Sequence, residues 1–254
     1  MRRSMSFGLL ASVLFAGCCQ TTSFDRSAMM SRLQTESASV TVSDDEIVQV
    51  QAIKPQLQFP CRVAVYLSPA VQWSIKDKER IKAWGDSLKK EGIVSDYFLM
   101  SSLFSPNAAS LASKAQKEVR LAAARHGADA VLILHGIHQT ESYENPAALL
   151  NLTLVGGYII PASHRDVLFM LQGAVVDVGN GFLYASVESE GTGKIMRPSF
   201  IIEEKDALDA ARKEAIEGFG PDFLRRMQSL NHSYRQSPLV PARLGGALPA
   251  TANK

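Results

Sequence analysis

No apolar run in this chain reaches the roughly 20 residues that a membrane-spanning helix requires. The two most apolar stretches cover 7–16 and 147–160, and both fall short. Cysteine is scarce: three among 254 residues, with no framework spacing. The fold must therefore rest on an apolar core and not on disulfides. A large excess of charge of either sign is also missing, with 27 basic against 25 acidic side chains. Arg2 and Arg3 account for the whole excess. A chain so balanced lacks the basic footprint of a nucleic-acid binder. No Ser-His-Asp, Cys-His or paired-carboxylate arrangement is legible from spacing, although triads form in space and not in sequence.

What is present begins at the N-terminus. Arg2 and Arg3 precede an apolar run from Phe7 to Ala16, which ends in Leu14-Phe15-Ala16-Gly17-Cys18. A positive start, a short apolar middle and small residues at a cut site make a signal peptide over 1–17. The Ala-Gly-Cys ending looks like a bacterial lipobox, in which Cys18 is lipidated and becomes the mature N-terminus. Each acyl CH₂ buried in lipid is worth about 0.8 kcal/mol, and several chains together anchor stably. Cys19, not Asp, follows the anchor. By resemblance to lipoprotein sorting, this implies the outer membrane and a domain facing the periplasm.

Residues 18–56 are rich in Ser, Thr and Gln, and read as a flexible tether. Within it, Ile47 to Ile53 has enough apolar character to pack as an added strand or helix. The domain spans 57–232. Cys61, Val63, Val65 and Leu67 alternate on one strand face, where Cys61 is a small core hydrophobe. A Cys19–Cys61 disulfide is the alternative in an oxidising periplasm. Ser74 with Asp77 three residues on starts a helix, and Ile81, Trp84 and Leu88 line its inner face. Its lysines 76, 78, 82, 89 and 90 interleave with Asp77, Glu79, Asp86 and Glu91, the pattern of a solvated surface.

Val94 to Met100 reads as a second strand. A helix from about Ser110 ends at His126-Gly127, with Gly127 in the left-handed cap. Ala128 to His135 then reads as a buried strand. This βαβαβ half favours parallel strands with right-handed crossovers. Val167 to Val178, Gly179-Asn180-Gly181 and Phe182 to Glu190 form a β-hairpin signal. In its return strand Leu183, Ala185 and Val187 are expected inward. Two helices follow, parted at Gly218, Gly220 and Pro221, and a disordered tail covers 233–254. The expected fold is α/β: a mixed sheet of roughly four to six strands, with helices mainly on one face. By its pattern of elements it resembles small periplasmic lipoprotein domains of the curli-secretion and TolB N-terminal type.

A closer resemblance rests on four segments. They are Gln58-Phe59-Pro60-Cys61-Arg62-Val63-Ala64-Val65, His126-Gly127-Ala128-Asp129-Ala130-Val131, Leu154-Val155-Gly156-Gly157-Tyr158-Ile159-Ile160-Pro161 and Glu190-Gly191-Thr192-Gly193-Lys194. Together, over about 59–227, they resemble the rhombotarget lipoproteins, a family associated with the intramembrane protease rhombosortase. The resemblance implies an envelope lipoprotein and carries no catalytic residue. Rhombosortase substrates usually end in Gly-Gly, an apolar helix and a basic tail. Here no apolar helix follows Gly245-Gly246.

Three stretches are candidate sites. His135, His138, Glu141 and Glu144 form the best metal-like cluster, but from a strand end their spacing does not converge. They mark instead a ligand-facing sheet edge. Glu190-Gly191-Thr192-Gly193-Lys194 lacks the first glycine of a phosphate loop, and Ile195 replaces its Ser or Thr; it reads as a turn. Neither a cofactor nor a metal is expected. The third stretch, between Pro146 and Pro161, is nearly all apolar. Its plain reading is a core strand with a glycine bend. Its functional reading is a surface for a membrane or an envelope partner, through Leu149, Leu152, Leu154, Tyr158, Ile159 and Ile160. The sequence thus points to a non-enzymatic, lipid-anchored binding or scaffolding protein of envelope assembly or surface-protein processing. The alternatives are an envelope hydrolase or a small-ligand carrier using the His135–Glu144 edge.

Overall fold

The computed structural model describes residues 24–37, 44–101, 113–144, 163–197 and 204–236. Helices α1 (Arg26–Ser37) and α2 (Asp44–Ala52) precede the sheet. Then come β1 (Cys61–Leu67), α3 (Ile75–Lys90), β2 (Val94–Leu99), α4 (Ser113–Arg125) and β3 (Ala130–Glu144). Strands β4 (Ser163–Asp177) and β5 (Leu183–Arg197) and helix α5 (Glu204–Gln236) complete the chain. The sheet order is β2-β1-β3-β4-β5. β1 runs parallel to β2 and β3, and β3, β4 and β5 alternate in direction. The architecture is therefore the expected mixed five-stranded α/β sheet.

The first half forms for the expected reasons. Ser74 Oγ accepts the Asp77 N–H at 3.1 Å, and Asp77 Oδ2 accepts the Ser74 N–H at 2.9 Å, a complete capping box. Gly92 and Gly127 take positive φ just past their helices. Ile81, Trp84 and Leu88 are buried on α3. Asp77, expected on a solvated face, is also buried, and its Oδ2 lies 2.6 Å from Arg212 Nε of α5. Arg80 adds a second contact to Asp77 at 3.3 Å.

The helices are not confined mainly to one face. α3 and α5 cover the side bearing Val63, Leu132, Leu134, Phe169 and Val187. α4 covers Ala64, Tyr66, Val131 and Ile133 on the other side. Farther along that second side, Phe24 and Met29 pack on Leu168. The segment 18–56 is thus not a free tether throughout. It holds α1 and α2, and Phe24 beside α1 seats the chain on the sheet. In α2, Ile47, Val48 and Val50 stay exposed.

The second half departs from expectation in three ways. β3 and β4 pair in unbroken register from Ala130↔Asp177 to Glu144↔Ser163, so β3 runs well past His135. β5 likewise continues through the expected turn at Gly191 and Gly193. A Cβ on Gly193 would collide with the Ala207 carbonyl of α5, and one on Gly191 with the backbone of Ala211 and Ala215. These glycines, facing Ala207, Ala211 and Ala215, let helix backbone lie directly on the strand. A register shift between Val175 and Val176 pairs Val176 with Leu183 and leaves Tyr184 as the extra residue. Leu183, expected inward, is consequently 53% exposed.

The two C-terminal helices are one, passing through Pro221 and extending four residues beyond the domain end expected at 232. Proline removes one helical hydrogen bond, at a cost of about 3 kcal/mol. Burial of Phe219, Phe223 and Met227 on either side contributes roughly 1.5–3 kcal/mol each and offsets it. Gly220 does not break the helix either: a Cβ there would meet the Trp84 indole, whose ring lies 5.2 Å from that of Phe219. On the outer side of β5, Thr192 N–H donates to Glu214 Oε2 at 2.7 Å.

Two glycines should separate packing from propensity. Gly193→Ala must move α5 backbone and should lower stability by about 1–3 kcal/mol. In Gly218→Ala the new Cβ meets only Ser189 Cβ at 3.8 Å, and helix propensity should raise stability by about 0.5–1 kcal/mol. Urea unfolding midpoints should move in opposite directions.

Candidate functional site

The sheet edge expected from His135, His138, Glu141 and Glu144 does not exist as a cluster. All four lie inside β3, His135 and Glu141 at odd positions, His138 and Glu144 at even ones. A strand sends odd and even positions to opposite faces, so His138 cannot converge with His135 and Glu141. His135 is buried, with Nδ1 3.0 Å from Ser68 Oγ beyond the end of β1. His138 is exposed on the opposite face. Among the described residues, no group of three or more His, Cys, Asp or Glu could hold a metal ion. The phosphate-loop-like Glu190–Lys194 is mid-strand and packs under α5, as described above. Leu149, Leu152, Leu154, Tyr158, Ile159 and Ile160 lie outside the described residues, as does Cys18. Residues 145–162 join the paired ends of β3 and β4.

A cleft absent from the sequence reading, of about 550 Å³, opens at the other end of the sheet. Gln56, Gln58 and Pro60 approach it before β1, Ala124 and Asp129 around the end of α4, and Asp177 and Gly179 at the β4–β5 turn. Asp177 organises this corner. Its Oδ1 accepts N–H groups of Gly179 at 2.8 Å and Asn180 at 3.1 Å, which shapes the turn. Its Oδ2 accepts the Tyr184 hydroxyl at 2.6 Å. That hydroxyl in turn accepts the N–H groups of Gln56 at 2.9 Å and Leu57 at 2.7 Å. Burial, and then the bond to Asp177, push the Tyr184 phenol well above its ordinary range. The bulge at Tyr184 is what turns this side chain toward the irregular segment that leads into β1.

Asp129 Oδ2 accepts the Arg62 N–H at 2.7 Å, and Arg120 caps the Val178 and Gly179 carbonyls. Two carboxylates with amide and apolar walls can hold a polar or cationic group. The described lining contains no hydroxyl, thiol or imidazole to act as nucleophile or base.

The seat of α1 is the second feature the sequence reading missed. Asp25 Oδ1 accepts the Ala28 N–H at 2.8 Å, which makes Asp25 the N-cap. Phe24 before the cap and Met29 four residues past it are buried together, the geometry of a hydrophobic staple. Arg26 Nε and Nη2 grip both carboxylate oxygens of Glu190 on β5 at 2.9–3.1 Å. The pattern Phe-Asp-x-x-Ala-Met was the legible signal.

No family model matches the chain, and no curated protein matches it. Solved structures that share part of its shape include the following three. The PelC dodecamer from Paraburkholderia phytofirmans is 16% identical, over 68% of this chain and 91% of that one, with TM-score 0.31. A hypothetical protein of Chlamydia trachomatis is 9% identical, over 68% and 99%, with TM-score 0.34. Lipoprotein GNA1162 from Neisseria meningitidis is 11% identical, over 66% and 99%, with TM-score 0.28. Likeness of this degree carries no functional meaning. No described helix is long and apolar enough to cross a membrane.

Cys61 is a free and fully buried thiol, not half of a disulfide. Burial, and secondarily Asp129, push its pKa up to about 12. A thiol reagent at pH 8 should therefore label it only on unfolding. As the pH rises from the free-thiol range of about 8.5 toward 12, the unfolded chain loses this proton first. Stability should then fall with pH, more steeply in wild type than in Cys61→Ala, as chemical denaturation at stepped pH would record.

Proposed function

We propose that this chain is an outer-membrane lipoprotein, anchored through acylated Cys18, whose periplasmic α/β domain binds or positions an envelope partner and performs no catalysis. The observation that carries the binding reading is the division of His135 and Glu141 from His138 between the two faces of β3. These were the residues on which the sequence reading placed the hydrolase alternative. The lipobox and the resemblance to rhombotarget lipoproteins support the envelope setting, close to surface-protein processing. A small-ligand carrier is the second reading. It is favoured by the 550 Å³ cleft beside Asp129 and Asp177, and no longer by the His135–Glu144 edge.

The partner surface in this proposal is Leu149, Leu152, Leu154, Tyr158, Ile159 and Ile160. The support is arithmetic of the core: α3, α4 and α5 already have buried apolar positions on all five strands beneath them. The apolar stretch joining β3 to β4 exceeds what that core needs. Tyr158 suits a membrane interface, and the lipid at Cys18 would raise the effective concentration of weak contacts there.

Metabolic labelling with a fatty-acid analogue tests the anchor. Wild type should take up label and sediment with outer membranes, and Cys18→Ser should take up none. An unlabelled wild type ends the lipoprotein reading. For the surface, Leu152→Asp and Ile159→Asp should keep the thermal transition of the soluble domain while weakening its binding to liposomes or to a cross-linked partner. Loss of the folded transition in both variants would place the stretch in the core.

A further inference from the structure

Among the described residues the chain is first held to the domain at Phe24, and that point sets how far a lipid at Cys18 can lie from it. A tether running from Cys18 to Leu57 would reach about 130 Å at full extension. With Phe24 and Met29 buried on the sheet, only residues 19–23 intervene, and the link reaches about 20 Å. We infer that the lipid-anchored protein rides with the α1-bearing face of its sheet turned to the bilayer and the α5-bearing face turned away. This rests on the lipoprotein reading above.

The geometry is directional because the seat lies on one face only. Phe24 and Met29 contact Leu168, with Ile137 and Met170 packed alongside. Arg26 reaches Glu190 on the same face. α5 lies across the opposite face, where Ser189 Oγ donates to the Ala215 carbonyl and Thr140 Oγ1 donates to Glu204. To lay α5 on the bilayer, the link would have to pass round β5, at about 4.8 Å per strand. It would then have to cross the sheet and a helix about 10 Å in diameter. That path exceeds about 20 Å. The bilayer is the occupant the chain length selects: the link ends in lipid, and no other surface lies within its reach by covalent connection.

The bidentate Arg26–Glu190 pair is half exposed and weak alone. Met29, at 1% exposure, does most of the holding. The seat can therefore be released by one substitution.

The test uses the full chain carrying Cys19→Ser, purified from membranes and reconstituted in phosphatidylethanolamine–phosphatidylglycerol vesicles that contain a headgroup-bound quencher. A fluorophore is placed through Glu188→Cys on the α1 side or Lys213→Cys on the outside of α5; buried Cys61 stays unlabelled. Quenching should be severalfold stronger at 188 than at 213. Met29→Asp should abolish the difference. So should insertion of about 20 Gly-Ser residues after Ser23, which leaves the seat intact and lengthens the link. Equal quenching at the two positions in the parent chain overturns the inference, as does a difference that survives the insertion. The mass of the N-terminal peptide reads acylation separately. An unacylated chain fails the lipoprotein reading and takes this inference with it. An acylated chain with equal quenching fails this inference alone.

Discussion

The ion pair between Asp77 and Arg212 joins the two halves of the molecule. Asp77 caps α3, the crossover between β1 and β2, and Arg212 projects from the third turn of α5. Both side chains are nearly inaccessible, so neither charge has water to fall back on. Arg80 and Asp209 complete the arrangement, one on each ion. Loss of one member of a buried pair typically costs about 3–5 kcal/mol; here Arg80 or Asp209 would stay on the survivor and reduce that cost. The pair closes at the one angle α5 takes across the sheet. That angle brings Ala207, Ala211 and Ala215 over Gly191 and Gly193, and Phe219 against Trp84.

The elements of the first half were readable from local chemistry. Ser74 and Asp77 announce a helix start by a bond between neighbours, and Gly92 and Gly127 announce helix ends by a conformation only glycine adopts readily. The second half is governed by partners distant in sequence. Gly191 and Gly193 resemble turn residues until α5 lies over them. Pro221 resembles a break until Phe219 and Phe223 are seen holding both sides. Asp77 looks like one more charge on a wet helix until Arg212 arrives. Polar residues at 138–142 hide the length of β3, because that part of the strand extends beyond the closely packed core.

The candidate site followed the same rule. The spacing of His135, His138, Glu141 and Glu144 is helical, but the backbone that carries them has a period of two, and the cluster disperses. The cleft is assembled from three places in the chain, around 56–60, 124–129 and 177–179. Tyr184, which ties Asp177 to Gln56 and Leu57 behind that lining, gets there only through a register shift that no local pattern marks. The seat of α1 was legible in principle. A cap and staple stood at Phe24, Asp25 and Met29, inside a stretch whose composition otherwise suggests a linker.

The contact of Glu214 with Thr192 bears on how these molecules behave when crowded. β5 is the outermost strand on its side of the sheet, and alternate residues along its fifteen turn N–H and C=O groups outward, a template for another chain. At its centre the Thr192 N–H is already claimed by a carboxylate from the covering helix. An incoming strand would have to displace that bond and then accept a negative charge beside its own carbonyl groups. At the opposite border β2 is only six residues long, and Asp96 there is held by Lys89 and Arg62. Both borders, among the described residues, are thus poor starting points for sheet-to-sheet growth.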